Sequence, residues 1–448
     1  MTTQTFPQAF VKVDIEFYDA IEKSKLTSAP YTPAAIMQMK SLCGGSIEVP
    51  TGEFLAYYLF HKKLIGTEGY VSYQAIGNKL GKALAHLDEC IEFNGNSISR
   101  PSTAKQQLNE VSEHIGEAVG LAVISRIHKL HQADWEPIPI QGGRKGIPTH
   151  DFQIASDMQT LIQVENKGSS VADNSKKDTS ISQHKRVIQD KKLKLQKLPV
   201  GRRDLYPASV RYGTISAVDA VSSRNVKCWL LDPPPENIDV SPRDFRLLQR
   251  LKFLRAWLSV LKPRSQIVAA LATRVVDLEN LANPFELSKI PLSLGMGKPV
   301  DVDGQDSYYF TKSRISFERT SGNSQTEKPG PTDDGGETNF RYKAESAFGA
   351  TVQISDGALM FLGIEDRLLR MLANQDFDEI SSYRFEPKSS FEKVRCVVSA
   401  GRARTILLPE SLGIDGRMPK GYTSFELSGN LHCTGAGLVF GVLPITWD

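Results

Sequence analysis

Long apolar runs, paired cysteines and a serine ringed by glycines are all missing from this chain, and each absence removes a class of protein. No stretch approaches the ~18 consecutive apolar residues of a membrane span. The opening MTTQTFPQAFVKVDIEF lacks the basic-then-apolar layout of a secretory signal. The five cysteines (Cys43, Cys90, Cys228, Cys396, Cys433) are odd in number and widely spaced, with no C-x-x-C pair. That excludes a disulfide framework and a zinc knuckle, and predicts a cytoplasmic protein with no membrane partner. No G-x-S-x-G marks a nucleophile elbow, and no internal repeat is present. The run Asp301–Asp306 begins like a calcium loop, but its glycine falls at the fourth place and no closing glutamate follows, so it reads as a polar turn.

What remains is an ordinary globular composition: 448 residues, 40% hydrophobic and 23% charged. Length predicts two or three domains. The net charge is only +3, but it is unevenly placed. Lys176, Lys177, Lys185, Arg186, Lys191, Lys192, Lys194, Lys197, Arg202 and Arg203 are offset only by Asp178 and Asp190 within the same stretch. Such a block is either a solvated helix face or a footprint for phosphates.

Periodicity divides the chain into three parts. Residues 1–104 carry helix-like patterns, YTPAAIMQMKSLC and YQAIGNKLGKALAHLDECIEF, broken by glycine and proline, and are expected to form a helical N-terminal region. Gly77 and Gly81 are too weak a pattern for a phosphate loop. Residues 105–285 read helix–strand–strand–helix–strand–strand with two trailing helices, an α/β (α+β) domain with one central mixed sheet. Its first helix, 107–132, has an apolar stripe of Val111, Ile115, Ala118, Val119, Ala122 and Val123. Glu110, Glu113 and Glu117 lie near one side of it. Residues 286–448 read as a mostly β C-terminal domain with one short helix at 364–373. The polar stretch 320–338 inside it reads as a loop.

The two strands at about 151–156 and 160–167 are oddly polar. On a strand alternate residues share a face, so Leu161, Gln163, Glu165 and Lys167 lie together. If the hairpin loop is odd, such as 157–159, Asp151 stands opposite Glu165 and Gln153 opposite Gln163. An even loop pairs Glu165 with Phe152 unless a bulge restores the register. Two facing carboxylates repel. A divalent cation between them removes the penalty, and Lys167 on the same side can act on a water or on phosphate charge. The bland alternative is a wet hairpin with a weak Glu–Lys pair.

Asp151-(x13)-Glu165-x-Lys167, on strands between a helix carrying Glu and a basic helix, resembles the PD-(D/E)XK nuclease superfamily of restriction-endonuclease-like folds. The resemblance covers residues 105–235. It implies Asp151 and Glu165 as ligands of Mg2+ or Mn2+, with the Asn166 backbone carbonyl and Glu117 beside them, Glu113 being the rival of Glu117. It implies Lys167 as the catalytic lysine. His150 precedes Asp151 where the family has proline, and the following helix lacks Gln-x-x-x-Tyr, Gln183 being the nearest substitute. The basic block falls on that helix, where Lys185, Arg186, Lys191 and Lys192 would hold a phosphate backbone. The expected activity is metal-dependent hydrolysis of phosphodiesters, DNA foremost, with a homodimer favoured for cutting both strands and antiviral defence by analogy. A catalytically inactive nucleic-acid-binding or scaffold protein is the alternative, and a protein whose basic helix binds an acidic partner is a third. Elsewhere, His128 and His131 close a helix whose C-terminus favours histidine. His150 reads as a loop residue, and Arg243, Arg246 and Arg250 as a solvated helix face or a second phosphate stripe.

Overall fold

A computed structural model describes residues 10–60, 73–100, 109–136, 154–196, 208–220, 224–231, 242–261, 266–280, 314–316, 346–355, 357–399 and 422–445. Strand β1 (Phe10–Phe17) buries Val11, Val13 and Ile15 by simple alternation. Helix α1 (Ala20–Leu26) starts at Asp19, whose side chain accepts from the Glu22 backbone N–H. Helix α2 (Pro33–Leu42) starts at Thr32 with proline in its first turn. Strand β2 (Gly45–Pro50) returns antiparallel to β1. Helix α3 (Thr51–Phe60) is buried along its whole length, as an all-round apolar helix must be. Helix α4 (Tyr73–Cys90) and the small hairpin β3 (Glu92–Asn94) and β4 (Ser97–Ser99) follow.

The expected helix–strand–strand–helix–strand–strand order then appears. It comprises α5 (Asn109–His128), β5 (Ile154–Ser156), β6 (Leu161–Val171), α6 (Thr179–Gln196), β7 (Val210–Asp219) and β8 (Val226–Leu231). Helices α7 (Pro242–Leu261) and α8 (Gln266–Asn280) follow it.

Among the described residues one mixed sheet gathers eight strands. β6 runs parallel to β7, β7 antiparallel to β8, and β8 parallel to β1. The N-terminal region is therefore not purely helical: β1 and β2 extend this sheet beyond β8, and β4 meets the end of β7 at Ser99 and Asp219. The alternation of Val11, Val13 and Ile15 carried that signal, and the neighbouring helical patterns overshadowed it.

A separate antiparallel sheet is ordered β12 (Lys388–Ser399), β13 (Tyr422–Cys433), β14 (Leu438–Pro444), β11 (Ala358–Glu365), β10 (Ser346–Ser355), β9 (Arg314–Ser316). The short helix expected at 364–373 is α9 (Asp366–Asn374), followed by α10 (Phe377–Ser382). Strand β11 was not anticipated. Buried in every position, it has no polar alternation to announce it. Residues 301–306 and 320–338 lie outside the described residues.

The two sheets share one continuous hydrophobic core. Phe60 of α3 packs edge-on against Trp257 and Phe440, with ring centroids 5.1 and 5.2 Å apart. Gly77 and Gly81 seat α4 on β10, for a Cβ at either would lie 2.0 Å from the Gln353 carbonyl oxygen or 2.3 Å from that of Ile354. Those glycines serve close packing.

Beyond α5 a short 3-10 turn, Gln132–Asp134, carries a fully buried carboxylate. Arg250 of α7 donates to Asp134 through Nε at 2.7 Å, and Arg246 through Nε at 2.9 Å. Arg250 Nη1 also donates to the carbonyls of Ile380 and Tyr383, at 2.7 and 3.1 Å. His131 faces the Tyr383 carbonyl through Nε2. Burial opposes the charge on Asp134, but Arg250, His131 and Arg246 overcome it and hold the carboxyl below the usual range. Neither expectation for the arginine stripe holds, since Arg246 and Arg250 face inward; the Arg243 side chain lies outside the described residues. Asp134→Asn strands two buried guanidiniums, so it is expected to destabilise the fold by about 3–5 kcal/mol. Urea denaturation measures this, and a change within error would show the cluster to be incidental.

Candidate functional site

Helices α5 and α6 cover opposite faces of β6 and β7. On the α5 side the approach is glycine-mediated. A Cβ on Gly168 would lie 1.7 Å from the Ser112 carbonyl oxygen, and one on Gly116 would lie 2.5 Å from the Gly168 Cα. Gly120 likewise lies against the Asn166 and Thr214 side chains. This contact brings Glu117, one residue past Gly116, in among buried residues, while Glu113 stays exposed. Of the two rivals, Glu117 is the one turned inward.

On the other face Ile181 and Ile188 of α6 pack with Ile215, Ala217, Trp229 and Leu231. His184 and Lys191 share that inner face, at helical spacing from the two isoleucines. Glu165 points into this layer and is fully buried. Its Oε1 lies 2.8 Å from Lys167 Nζ and 2.7 Å from Lys191 Nζ. Both lysines are partly exposed, so the cluster lies near the surface although its carboxylate does not. Two residues on, the Ser169 hydroxyl is 2.8 Å from His184 Nε2. Burial first, and then the Lys167 ammonium, lower the His184 pKa, against a hydrogen bond to the Gly168 backbone. At the start of the strands Arg211 Nε donates to Gln163 Oε1 at 3.1 Å.

Lys167 and Glu165 thus share a face, as alternation requires. Lys191 meets them as well, but on the carboxylate rather than along an outer surface. Lys185 turns elsewhere: its Nζ is 2.6 Å from Asp19 Oδ2 and lies over the Tyr18 ring, bracing α6 against α1. Gln183 and Arg186 are exposed, and so are Val187, Leu193 and Lys194. The Lys192 side chain lies outside the described residues. Sequence reasoning missed His184, Ser169 and Arg211. The pairing of Ile181 with Ile188 was the available signal, because it marks the inner face of α6 and hence His184 and Lys191.

Asp151 and His150 lie outside the described residues. The register that bears on Asp151 differs from the expectation. β5 and β6 pair Ile154 with Gln163, Ala155 with Ile162 and Ser156 with Leu161, across the four-residue loop 157–160. The loop is even, so Gln153 is not the partner of Gln163. Its length follows from Asp157, whose Oδ1 accepts from the backbone N–H groups of Gln159 and Thr160 at 2.9 and 2.7 Å. Asp157 Oδ2 meets His128 Nδ1 at 2.7 Å, and His128 Nε2 meets the Tyr212 hydroxyl at 2.7 Å. The turn is therefore clamped to the end of α5 and to β7, and His128 is a structural partner.

Carboxylate oxygens are the hard donors that Mg2+ or Mn2+ takes, but Glu165 lies in the α6 layer with two ammoniums on it and Glu117 lies on α5, on the opposite face of the sheet. Among the described residues no group of three or more His, Cys, Asp or Glu comes together to hold a metal. The Asn166 side chain is occupied on the α5 side, accepting from Thr214 Oγ1 at 2.6 Å. Among the described residues β5 pairs with β6 only as far as Gln163, short of Glu165 and Asn166. No protein-family model, curated protein or solved structure matches the chain. No helix among the described residues is long and apolar enough to cross a membrane.

The clamp on the hairpin is sensitive to acid. Burial pushes the Asp157 carboxyl up, but the His128 hydrogen bond and the backbone N–H bonds outweigh it, and the pKa is lowered. Its stabilisation is complete above the unfolded value of about 4 and is lost as pH falls through the lower folded value. Asp157→Ala is expected to cost about 1–3 kcal/mol at neutral pH. The gap to wild type should close on acidification below about pH 4. Chemical denaturation at a series of pH values tests this, and a gap independent of pH would remove Asp157 from the clamp.

Proposed function

We propose that the chain is a divalent-cation-dependent nuclease of the PD-(D/E)XK type that hydrolyses phosphodiester bonds, DNA foremost. The observation that carries this reading is the buried Glu165 carboxylate held at 2.8 Å by Lys167, on a strand covered by one helix on each face. Burial of an acid–base pair beside a partly exposed ammonium is costly for a merely structural strand, and it is what a reaction centre needs.

Glu165 would hold Mg2+ beside the Asn166 carbonyl; with the even loop Asp151 would reach that face only through a bulge, and Glu117, on the α5 side of the sheet, would stand apart from it. Bound there, the cation lowers the pKa of a water and offsets charge on the phosphate. Lys167 is held by Glu165 with its ammonium near the surface, where it orients that water or stabilises charge on the leaving oxygen. His184 and Ser169 hold the strand immediately beyond Lys167. Along α6, Arg186 and Lys194 face solvent and meet the phosphate backbone, with Gln183 beside them. A homodimer would bring two such centres to the two strands of a duplex, and a role in restriction or phage defence follows by analogy with the superfamily.

One observation favours a second reading. Two ammoniums already neutralise Glu165 Oε1, as they would in a nuclease-like protein that binds nucleic acid without cutting it.

Plasmid cleavage in Mg2+ or Mn2+ separates the two readings. Wild type is expected to cut, and Glu165→Gln and Lys167→Ala each to lose about 10²-fold or more in rate. Equal cleavage by all three would sink the site assignment, and binding without cleavage in either metal would establish the second reading.

A further inference from the structure

We infer that Ser169 and His184 form a nucleophile–base pair, a reactive centre that acts on phosphate esters without a metal. The Ser169 hydroxyl lies 2.8 Å from His184 Nε2, the distance at which an imidazole takes a hydroxyl proton. The pair requires no cation, so it stands or falls apart from the metal reading of Glu165. Around it the layer between α6 and the sheet is apolar, built from Val171, Ile181, Ile188, Ile215 and Ala217. An aliphatic pair would fill the same space without the cost of burying two polar groups. Both partners are also fixed from behind. Gly168, beside Ser169, presses on α5, where a Cβ would lie 1.7 Å from the Ser112 carbonyl oxygen. Ile181 and Ile188 are buried one turn to either side of His184 and seat its helix.

Burial, and then the Lys167 ammonium, hold the His184 pKa below its ordinary value, so the ring is neutral at pH 7 and able to accept a proton. A neutral imidazole carries one N–H. Its hydrogen bond to the Gly168 backbone engages that proton and leaves Nε2 for the serine. Lys167 lies on the same face of β6, one strand repeat before Ser169, and is partly exposed. Its charge reaches the ring, and it supplies positive potential where an anionic phosphate ester would meet Ser169. Ser169 keeps 9% exposure and His184 is half-buried, which puts the pair at the margin of the α6 contact. In the reaction the Ser169 oxygen attacks phosphorus as its proton passes to His184 Nε2. The bond to the leaving oxygen breaks, and that oxygen takes the proton from His184. Water then attacks the phosphoserine ester with the same base, releasing the phosphate and restoring the hydroxyl.

The experiment treats the full-length chain, in EDTA, with a fluorescent fluorophosphonate, whose fluoride the Ser169 oxygen displaces from phosphorus. Peptide mass locates the adduct. Wild type is expected to carry it on Ser169, and Ser169→Ala to lose it. His184→Gln is expected to slow labelling about 10²-fold or more, the usual worth of a general base. Ser182→Ala, on the exposed side of α6, should label as wild type does. The modified residue is read on the wild-type chain, so misfolding of a variant cannot produce the result. No adduct on Ser169 of the native wild type overturns the pair, and so does labelling that is as fast in His184→Gln or after unfolding in urea. The substrate class is checked in the same buffer with bis(para-nitrophenyl) phosphate and para-nitrophenyl acetate. Nitrophenolate release from the phosphate ester, lost in Ser169→Ala, is expected; release from the acetate alone overturns the assignment to phosphate esters.

Discussion

A carboxylate with no exposure to solvent is the constraint around which this structure is arranged. Removing an ionised Glu165 from water costs several kcal/mol even after local relaxation, and only nearby positive charge and hydrogen bonds return it. Lys167 supplies one such charge from the same strand and Lys191 a second from α6. For Lys191 to arrive, α6 must lie flat on β6 and β7, which its isoleucine pair achieves by packing against Ile215, Trp229 and Leu231. The helix is held from the side as well, by Lys185 on Asp19 and over Tyr18. The basic block is therefore partly spent on internal charge compensation, and its outer face is less purely cationic than its composition suggests.

The opposite face of the sheet follows a different rule. There the backbone of α5 comes so close to β6 that no side chain fits between Gly116 and Gly168. The same helix ends at His128, which clamps the β5–β6 turn, and the 3-10 turn just beyond carries Asp134, which holds Arg250 of α7, itself bonded to the Ile380 carbonyl of α10. The helix and the turn after it thus connect the polar strand, the hairpin turn and the shared core of both sheets. Placement of the candidate site depends on that helix as much as on the strand that bears Glu165.

Much of the architecture was legible before any coordinates. The order α5–β5–β6–α6–β7–β8 and the shared face of Glu165 and Lys167 follow from periodicity alone, which is a local property of the chain. Strand β11 and helix α3 were missed because full burial erases the polar alternation on which such readings depend. Arg246 and Arg250 were placed in solvent because spacing reveals a helix face but not what that face meets. Only the long-range approach of Asp134 made burial of those charges tolerable.

The sequence by itself determined which residues can share a face: Glu165 with Lys167 on a strand, and Ile181, His184, Ile188 and Lys191 on a helix. These relations arise from the two-residue and 3.6-residue periods of the backbone and need no partner. The tertiary structure decided which of those faces meet. It brought Lys191 onto Glu165 from 26 positions away and sent Lys185 to Asp19. It also gave the hairpin an even loop through the contacts of Asp157 with its turn and with His128. Pairing between distant segments depends on how whole faces pack and on which buried charges then require compensation, and neither can be read from spacing along the chain.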